Sequence, residues 1–488
     1  MRRTLLTAAL ASLVVAPAAL PHPALLGLQP VRITVDASLP TGPINRNLVG
    51  LDWKLGTGDG VDDLHPNLAR ADIAFQVAAK QDGSFDWSFG DAWVAEAKAA
   101  GAEPMLILNY MPPWLAQTYP GDPRDPTKVR PKDFTEWERI VEAGVEHFAI
   151  EHGVRWFEVW NEPDWAGFWQ DSPTAFLETA KHTAMAVRRV EQRTGIDLIF
   201  GGPACLFPDP IFIAGWLAMM RSLGMRPEFV SWHYYGNYPF VGPDGREPSL
   251  PEPVHVALGH RNPIGGVFPF PVGIEIVRAL TRHALAGTGW ADPEFIIDEW
   301  NVSAGGFDLR HDTHEGAAFD AGVLAEFQST GLDRAAFFIS ADPYISSPEV
   351  NPSGAEFAGD WGLVSWKGTR KPAWWTFWLW QRMAPEQITA AGGSATDVFW
   401  AVAARDPASG RLTVMLSSFL ATGAHPHAVT LALSGLRAEA YTVEVRRLDP
   451  AHASAATPAE TFDVAGPATT TTILLPANSV AFVELSPA

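Results

Sequence analysis

Short apolar runs alternate with longer segments of helical periodicity through most of the chain. Eight of these runs are rich in β-branched or aromatic residues and are typical of buried strands. The predicted strands are 47–53, 71–76, 105–110, a fourth run at 155–160 that leads to Glu162, 198–202, 229–235, a seventh run at 294–298 that leads to Glu299, and 334–340. Helical segments such as about 89–100 and about 174–193 lie between them. This alternation predicts an α/β fold, a (β/α)8 TIM barrel over residues 45–383.

The pattern changes near residue 384. From there the helical periodicity gives way to short alternating strands, such as 398–402, 412–416 and 441–445, separated by Gly, Pro, Ser and Thr. This pattern predicts an accessory C-terminal β-sandwich domain over residues 384–488. The segment 31–36, before the barrel, is also strand-like, and we expect it to pair within the same sandwich.

The first residues have the pattern of a targeting segment rather than of a folded element. Met1-Arg2-Arg3 provides positive charge, residues 5–20 are apolar, and Ala16-Pro17-Ala18 supplies small residues near a cleavage point. We predict a signal peptide at residues 1–24 and export to a bacterial periplasm or the medium. The alternatives are a frayed apolar N-terminus and an uncleaved anchor. Cys205 is the one cysteine, so no disulfide forms within the chain.

Composition restricts the partners of the protein. The chain of 488 residues has a formal net charge of −20, which disfavours binding to nucleic acid or to an anionic membrane surface. The 20 Trp residues fit stacking against sugar rings as well as ordinary packing. The charge leads us to expect no nucleic acid partner and no membrane contact after signal cleavage; an oligosaccharide or polysaccharide substrate is expected from the two acidic segments around Glu162 and Glu299. The sequence predicts no oligomeric state.

Two acidic segments carry the candidate chemistry. Glu162 follows the fourth predicted strand and Glu299 follows the seventh, at the strand ends where functional residues of such barrels cluster. Cleavage of a glycosidic bond needs two carboxyl groups across a cleft, one to protonate the leaving oxygen and one to attack the anomeric carbon. Burial and an ionised Glu299 nearby would raise the pKa of Glu162, which would give two identical side chains different roles.

Three motifs resemble glycoside hydrolase family 39, in clan A of the (β/α)8 glycosidases. They are 110–116 (Tyr-Met-Pro-Pro-Trp-Leu-Ala), 157–164 (Phe-Glu-Val-Trp-Asn-Glu-Pro-Asp) and 297–301 (Ile-Asp-Glu-Trp-Asn). This family contains β-xylosidases and α-L-iduronidases. The resemblance implies a retaining enzyme with Glu162 as acid/base and Glu299 as nucleophile, and it implies no metal or organic cofactor.

The resemblance also implies binding residues at matching positions. Asn161 would hydrogen-bond the 2-hydroxyl of the sugar, His233 would contact the sugar, and Tyr235 would hold the nucleophile. Trp114 and Trp53 are candidate walls of the sugar subsite.

The eighth-strand region departs from the family pattern, and this leaves the sugar open. Residues 337–344 lack the Trp and the acidic pair that shape the terminal subsite of the xylosidases; Asp342, Glu349 and Glu356 are candidate substitutes. The insert 239–271 is a candidate lid or wall. The leading interpretation is an exo-acting β-xylosidase-like enzyme. The alternatives are an α-L-arabinofuranoside, galactoside or uronic acid substrate, endo-action on a polysaccharide, and, least favoured because both Glu residues are present, a noncatalytic carbohydrate-binding protein.

One cluster of potential metal ligands, residues 311–315, does not have the spacing of a zinc site. Its order is His-Asp-Thr-His-Glu rather than His-Glu-x-x-His. We predict instead that Asp312 or Thr313 is the N-cap of the seventh barrel helix.

Overall fold

The structure is a computed structural model that describes residues 27–236, 270–306, 308–343, 354–394, 398–420 and 424–488. The predicted signal peptide at 1–24, most of the insert at 239–271, and Glu349 lie outside these ranges. Among the described helices, none combines the length and the apolar character needed to cross a bilayer.

Eight parallel strands close into a barrel, because the last of them pairs back with the first. The strands are β2 (Gly50–Asp52), β3 (Leu68–Asp72), β4 (Glu103–Leu108), β5 (Trp156–Val159), β6 (Ile199–Cys205), β7 (Phe229–Tyr235), β8 (Glu294–Asn301) and β9 (Arg334–Phe337). The helices are α1 (Phe75–Ala78), α2 (Ser88–Ala99), α3 (Phe134–Glu151), α4 (Pro173–Thr194), α5 (Pro210–Ser222), α6 (Phe270–Ala284), α7 (His314–Thr330) and α8 (Pro372–Arg382). The prediction of a TIM barrel is confirmed.

Helix α4 shows how local sequence sets these boundaries. The Ser172 side chain accepts a hydrogen bond from the Ala175 amide, and Pro173 occupies the first turn, where a missing N–H costs nothing. The helix ends at Gly195, whose φ of 71° is readily adopted only by glycine.

The second predicted strand is placed wrongly along the chain. It was expected at 71–76, but β3 covers Leu68–Asp72 and residues from Phe75 onward form α1. Arg70 points into the barrel, and this charged residue interrupts the apolar pattern that is typical of a buried strand. Ala74, with φ of 60°, turns the chain between the two elements.

Alternation along the strands divides the barrel interior into an apolar floor and a charged layer. The floor consists of Leu68, Met105, Trp156, Phe229 and Ile296, which form one buried cluster. Two positions further along their strands stand Arg70, Glu158, Ser231 and Asp298, all buried. Since side chains two residues apart share a face of a strand, these polar groups point to the same interior as the floor.

The remaining strands form a nine-stranded mixed sheet in the order β15-β14-β17-β12-β11-β10-β1-β13-β16. Its members are β1 (Gln29–Pro43), β10 (Glu386–Gly393), β11 (Val398–Arg405), β12 (Leu412–Phe419), β13 (His427–Ser434), β14 (Ala440–Leu448), β15 (Glu460–Ala465), β16 (Thr469–Leu475) and β17 (Ser479–Pro487). Strand β1 contains the predicted segment 31–36 and pairs antiparallel with β10 and parallel with β13. The sheet encloses its own apolar core and is the accessory β-sandwich expected from the sequence.

Helix α7 joins the sandwich to the barrel. The Ser417 hydroxyl of β12 donates to the Ala318 carbonyl at 2.7 Å, and the Trp400 indole of β11 donates to Glu326 at 2.8 Å. The sandwich therefore packs against an outer helix of the barrel.

Candidate active site

A backbone turn after β5 positions Glu162. The strand ends at Val159, and both Trp160 (φ of 59°) and Glu162 (φ of 43°) are left-handed, which is uncommon for residues other than glycine. The Glu162 amide donates to the Ala204 carbonyl at 2.8 Å, which holds this turn against β6. The carboxyl group is consequently buried at the C-terminal end of the barrel rather than directed outward along the strand.

A register shift between β7 and β8 brings Glu299 into the interior. Trp232 pairs with Ile297, but the next residue, His233, pairs with Glu299, so that Asp298 is an extra residue in β8. Such a bulge changes the direction of side chains, and bulges are common beside active sites. Here it allows the neighbouring Asp298 and Glu299 both to reach Arg70, each at 3.2 Å.

The two Glu carboxyl groups face each other at short range. A carboxylate oxygen of Glu162, one of Glu299 and a nitrogen of His233 all lie within 4.8 Å of one another. Inverting glycosidases need carboxyl groups about 6.5–9.5 Å apart, because a water molecule must enter between the sugar and the base. The observed spacing instead fits direct attack by one carboxylate on the sugar.

Arg70 is the centre of the charged layer. Its Nε lies 2.8 Å from Glu158, its Nη1 lies 3.1 Å from Asp52, and its Nη2 lies 2.8 Å from Asn161. Asp298 and Glu299 form two further ion pairs, so that all three guanidinium nitrogens have partners, and the side chain is 1% exposed. An arginine suits this position because its planar, permanently charged fork binds several carboxylates in fixed directions.

Different surroundings separate the pKa values of the two Glu residues. Burial raises the pKa of Glu162 well above its usual value, and the charges of Glu299 and Asp164 raise it further. Burial also raises the pKa of Glu299, but the charge of Arg70 and a hydrogen bond from Tyr235 oppose this rise. Glu162 is thus the better proton carrier, and Glu299 is the better anion.

Two residues of β7 bind the two carboxyl groups. His233 Nδ1 lies 2.8 Å from Glu162 Oε1, and the Tyr235 hydroxyl donates to Glu299 Oε1 at 2.5 Å. Burial and the charge of Arg70 lower the pKa of His233 well below its usual value, so the imidazole is neutral. The structure thus places His233 against Glu162, while its contact with a sugar stays a prediction.

A cavity of about 310 Å³ opens at the strand ends beside these groups. Its lining consists of Asp52, Trp53, Arg70, Ala71, Asp72, Phe89, Trp93, Ile107, Tyr110, Asn161, Phe168, Glu299, Phe338 and Ile339. Of the residues expected to bind substrate, Asn161 and Trp53 are part of this lining. Trp114 is not part of it: its indole donates to the Ala79 carbonyl at 3.1 Å. The roles of all these residues in binding stay predictions.

Sequence reasoning missed several residues of the cavity, above all Arg70, Asp72 and Tyr110. Burial and the nearby charges of Asp72, Glu162 and Glu299 raise the pKa of the Tyr110 phenol, so it stays protonated as a possible donor beside both Glu residues. The alternation Leu68-x-Arg70-x-Asp72 was the available signal, because it places two ionisable residues on the face that begins with the apolar floor.

Of the three candidate substitutes in the eighth-strand region, the two within the described ranges, Asp342 and Glu356, are not part of the cavity lining. Asp342 is buried and accepts hydrogen bonds from Lys371 Nζ at 2.7 Å and from the Gly362 amide at 2.9 Å. Glu356 accepts from the Ser365 hydroxyl at 2.7 Å. Phe338 and Ile339 lie at the cavity instead. As far as the structure describes it, this part of the wall is therefore apolar, and neither Asp342 nor Glu356 takes the place of the missing acidic pair there.

Two groups of potential metal ligands occur within the described residues. One is Glu162, His233 and Glu299 themselves; the other is Asp91, His147 and His152, where both imidazoles contact one Asp91 oxygen, at 2.7 and 2.9 Å. This second group lies on α2 and at the end of α3, outside the barrel. The expectation that catalysis needs no metal or cofactor stays a prediction.

The discounted segment 311–315 forms the start of α7. Thr313 is at the N-cap position without a side-chain hydrogen bond to the helix, and Asp312 binds Lys371 Nζ at 2.6 Å. His311 Nδ1 lies 3.0 Å from Asn301 Oδ1. These contacts give the cluster a structural role beside β8.

Comparison with known families supports the resemblance stated from the motifs. A family model described as glycosyl hydrolases family 39 matches residues 65–240. This segment contains Arg70, Glu162 and His233, but not Glu299. The chain is also 25% identical over 356 residues to a beta-xylosidase of Geobacillus stearothermophilus. That match covers 68% of this chain and 66% of the relative, slightly less than two thirds of its length.

Solved structures share the fold over nearly the whole chain. A monomeric beta-xylosidase from Caulobacter crescentus CB15 has a TM-score of 0.69 at 21% identity, covering 93% of this chain and 99% of that one. A GH39 enzyme from Xanthomonas axonopodis pv. citri has a TM-score of 0.70 at 18% identity, covering 96% and 100%. The barrel with an attached β-sandwich is thus an architecture known from these structures.

Proposed function

Because residues 65–240 match the family model of glycosyl hydrolases family 39, we propose that this chain is a retaining, exo-acting glycosidase with β-xylosidase-like specificity. The observation that carries the proposal is the close approach of Glu162 and Glu299, within 4.8 Å, at the C-terminal end of the barrel. The beta-xylosidase of Geobacillus stearothermophilus supports the choice of sugar.

In the first step Glu299 attacks the anomeric carbon. The bond between that carbon and the leaving oxygen breaks, and Glu162 transfers its proton to this oxygen. The products are a free alcohol and a sugar esterified to Glu299. Arg70 and Tyr235 orient the attacking carboxylate, because each contacts one of its two oxygens.

In the second step the roles of Glu162 reverse. Esterification removes the negative charge of Glu299, one of the causes of the raised pKa of Glu162, so the Glu162 carboxylate persists and serves as base. It takes a proton from water while the water oxygen attacks the anomeric carbon and displaces Glu299. The sugar leaves with its original anomeric configuration, and Glu162 is again protonated.

The size of the cavity favours exo-action. About 310 Å³ is at the lower end of ligand pockets, which range over about 300–1,000 Å³. Aromatic residues, among them Trp53, Tyr110 and Phe168, surround it, which suits one terminal sugar ring better than a continuous polysaccharide. We propose oligosaccharides of plant or microbial origin as substrates, met after export directed by residues 1–24.

Proton NMR during hydrolysis of an aryl β-D-xyloside tests this function. The proposal predicts that β-xylose is the first product and that the α-anomer follows only by mutarotation. First formation of α-xylose would refute the retaining mechanism. A parallel set of aryl glycosides of arabinofuranose, galactose, glucose and iduronic acid tests the sugar. If every aryl glycoside is inert while a polysaccharide is cut internally, exo-action is wrong.

A further inference from the structure

Two aspartates of the cavity each carry a carboxylate oxygen for which the described part of the chain provides no hydrogen-bond partner. Asp52 is 5% exposed, and its Oδ2 has no hydrogen-bond partner among the described residues. In Asp72, the Oδ1 atom accepts a hydrogen bond from Asn109 at 2.6 Å, and no partner of Oδ2 is present within the described ranges. An unsatisfied buried oxygen such as Asp52 Oδ2 is costly, and at a ligand cavity it is expected to find its partner in the ligand; Asp72 is partly exposed and lines the same cavity.

The described residues that line the cavity provide no cationic group that is free to bind a sugar carboxylate. Arg70 is the one positively charged residue among the described residues that line the cavity, and Asp52, Glu158, Asn161, Asp298 and Glu299 already occupy its guanidinium. A sugar carboxylate would have to displace one of these contacts. It would also lie close to the Glu299 carboxylate, in a site where burial raises the pKa of Asp52 and of Asp72 and so already disfavours negative charge.

We propose that Asp52 and Asp72 bind ring hydroxyls of the terminal sugar and make the site selective for neutral sugars over uronic acids. The inference rests on the proposed function and specifies the substrate class of that same site. If Asn161 takes the 2-hydroxyl, the hydroxyls left for the two aspartates in a xylopyranoside are those at carbons 3 and 4.

Asp72 is the more informative residue to change. Asp52 forms an ion pair with Arg70, so Asp52→Asn also disturbs the charged layer. Among the described side chains, Asp72 forms a hydrogen bond only with Asn109. We expect Asp72→Asn to lower kcat/KM for an aryl β-D-xyloside by about 10- to 100-fold, the usual effect of losing a hydrogen bond to a charged group. Asp292→Asn, at an exposed site outside the cavity, is the matched control and should change nothing.

Substrates that lack one hydroxyl group test the proposed hydrogen bond between Asp72 and the sugar. On one of the aryl 3-deoxy or 4-deoxy xylosides, Asp72→Asn should have little effect, because the hydroxyl that Asp72 binds is absent. An equal loss of kcat/KM on the parent and on both deoxy substrates would overturn the assignment of Asp72. A wild-type enzyme that hydrolyses an aryl glucuronide or iduronide as fast as the xyloside would overturn the selectivity.

Binding separates this inference from the proposed function. Calorimetric titration with free xylose and with glucuronate needs no turnover. The inference is supported if xylose binds tightly, glucuronate binds weakly and Asp72→Asn loses affinity for xylose. This holds even if no glycoside is hydrolysed; a lack of hydrolysis would contradict only the proposed function. Preferential binding of glucuronate would overturn the inference.

Discussion

The Tyr235 hydroxyl donates a hydrogen bond to Glu299 Oε1 at 2.5 Å, from the strand next to that of Glu299. This bond stabilises the ionised carboxylate and lowers the pKa of Glu299 against the effect of burial. It is one of the two contacts that keep the proposed nucleophile anionic, the other being Arg70.

Tyr235→Phe should move the acid limb of the pH profile. Glu299 must be ionised to attack, so its pKa sets the acid limb of kcat/KM. Removing a bond that lowers this pKa raises it, and the acid limb should shift to higher pH with the alkaline limb less affected. Measuring kcat/KM from pH 4 to 9 for both proteins checks this. A shift to lower pH, or none, would show that Tyr235 does not act on the ionisation of Glu299.

Arg70→Lys should impair both activity and stability. Lysine keeps the charge but lacks the planar fork, so several of the five partners of Arg70 lose their hydrogen bonds in a buried site. We expect kcat/KM to fall by at least about 100-fold, equivalent to about 2.7 kcal/mol, and Tm to fall as well. Arg139→Lys, at a partly exposed pair with Glu136, is the control and should retain wild-type values. Wild-type kcat/KM in Arg70→Lys would contradict the proposed positioning of Glu299.

Asp320→Asn should stabilise the protein, and more so as the pH rises. Asp320 lies in α7 at 1% exposure, its Oδ1 has no hydrogen-bond partner among the described residues, and burial raises its pKa well above the usual value. Between the unfolded pKa of about 3.9 and the higher folded pKa, the native state holds more protons, so stability falls as pH rises. Asparagine does not titrate and escapes this loss.

Thermal denaturation at pH 4.5 and pH 7 measures this effect. The gain in Tm of Asp320→Asn over wild type should be larger at pH 7, with Asp292→Asn, at an exposed position, showing no such dependence. A gain that is equal at both values of pH would mean that Asp320 is not held protonated in the folded protein.

The sequence predicted those elements whose pattern reflects burial alone. Strand β7 begins and ends where it was expected, at Phe229 and Tyr235, because the strand is buried throughout. Strand β3 was misplaced because Arg70 interrupts the apolar pattern that strand prediction uses. An arginine stands at this position because carboxylates of three other strands, β2, β5 and β8, surround its guanidinium. The sequence around Arg70 gives no sign of these distant partners.

The residues of the candidate site likewise differ in how far the sequence alone could identify them. Glu162 and Glu299 could be found because each stands in a recognisable motif at a strand end. Asp72 and Tyr110 line the cavity but lie outside the two acidic motifs, Tyr110 at the start of the motif 110–116, and only closure of the barrel brings them beside Glu162 and Glu299. The contact of His233 with Glu162 likewise depends on the shift of register between β7 and β8.

Azide rescue of Glu299→Ala and Glu162→Ala tests the central claim most directly, that Glu299 attacks and Glu162 transfers the proton. Both variants should lose nearly all activity on an aryl β-xyloside, and azide should partly restore it. Glu299→Ala should then yield the α-glycosyl azide, because azide replaces the nucleophile in a single displacement. Glu162→Ala should yield the β-glycosyl azide, because azide replaces water in the second of two displacements. Turnover at the wild-type rate in Glu299→Ala without azide, or the same azide anomer from both variants, would contradict this assignment.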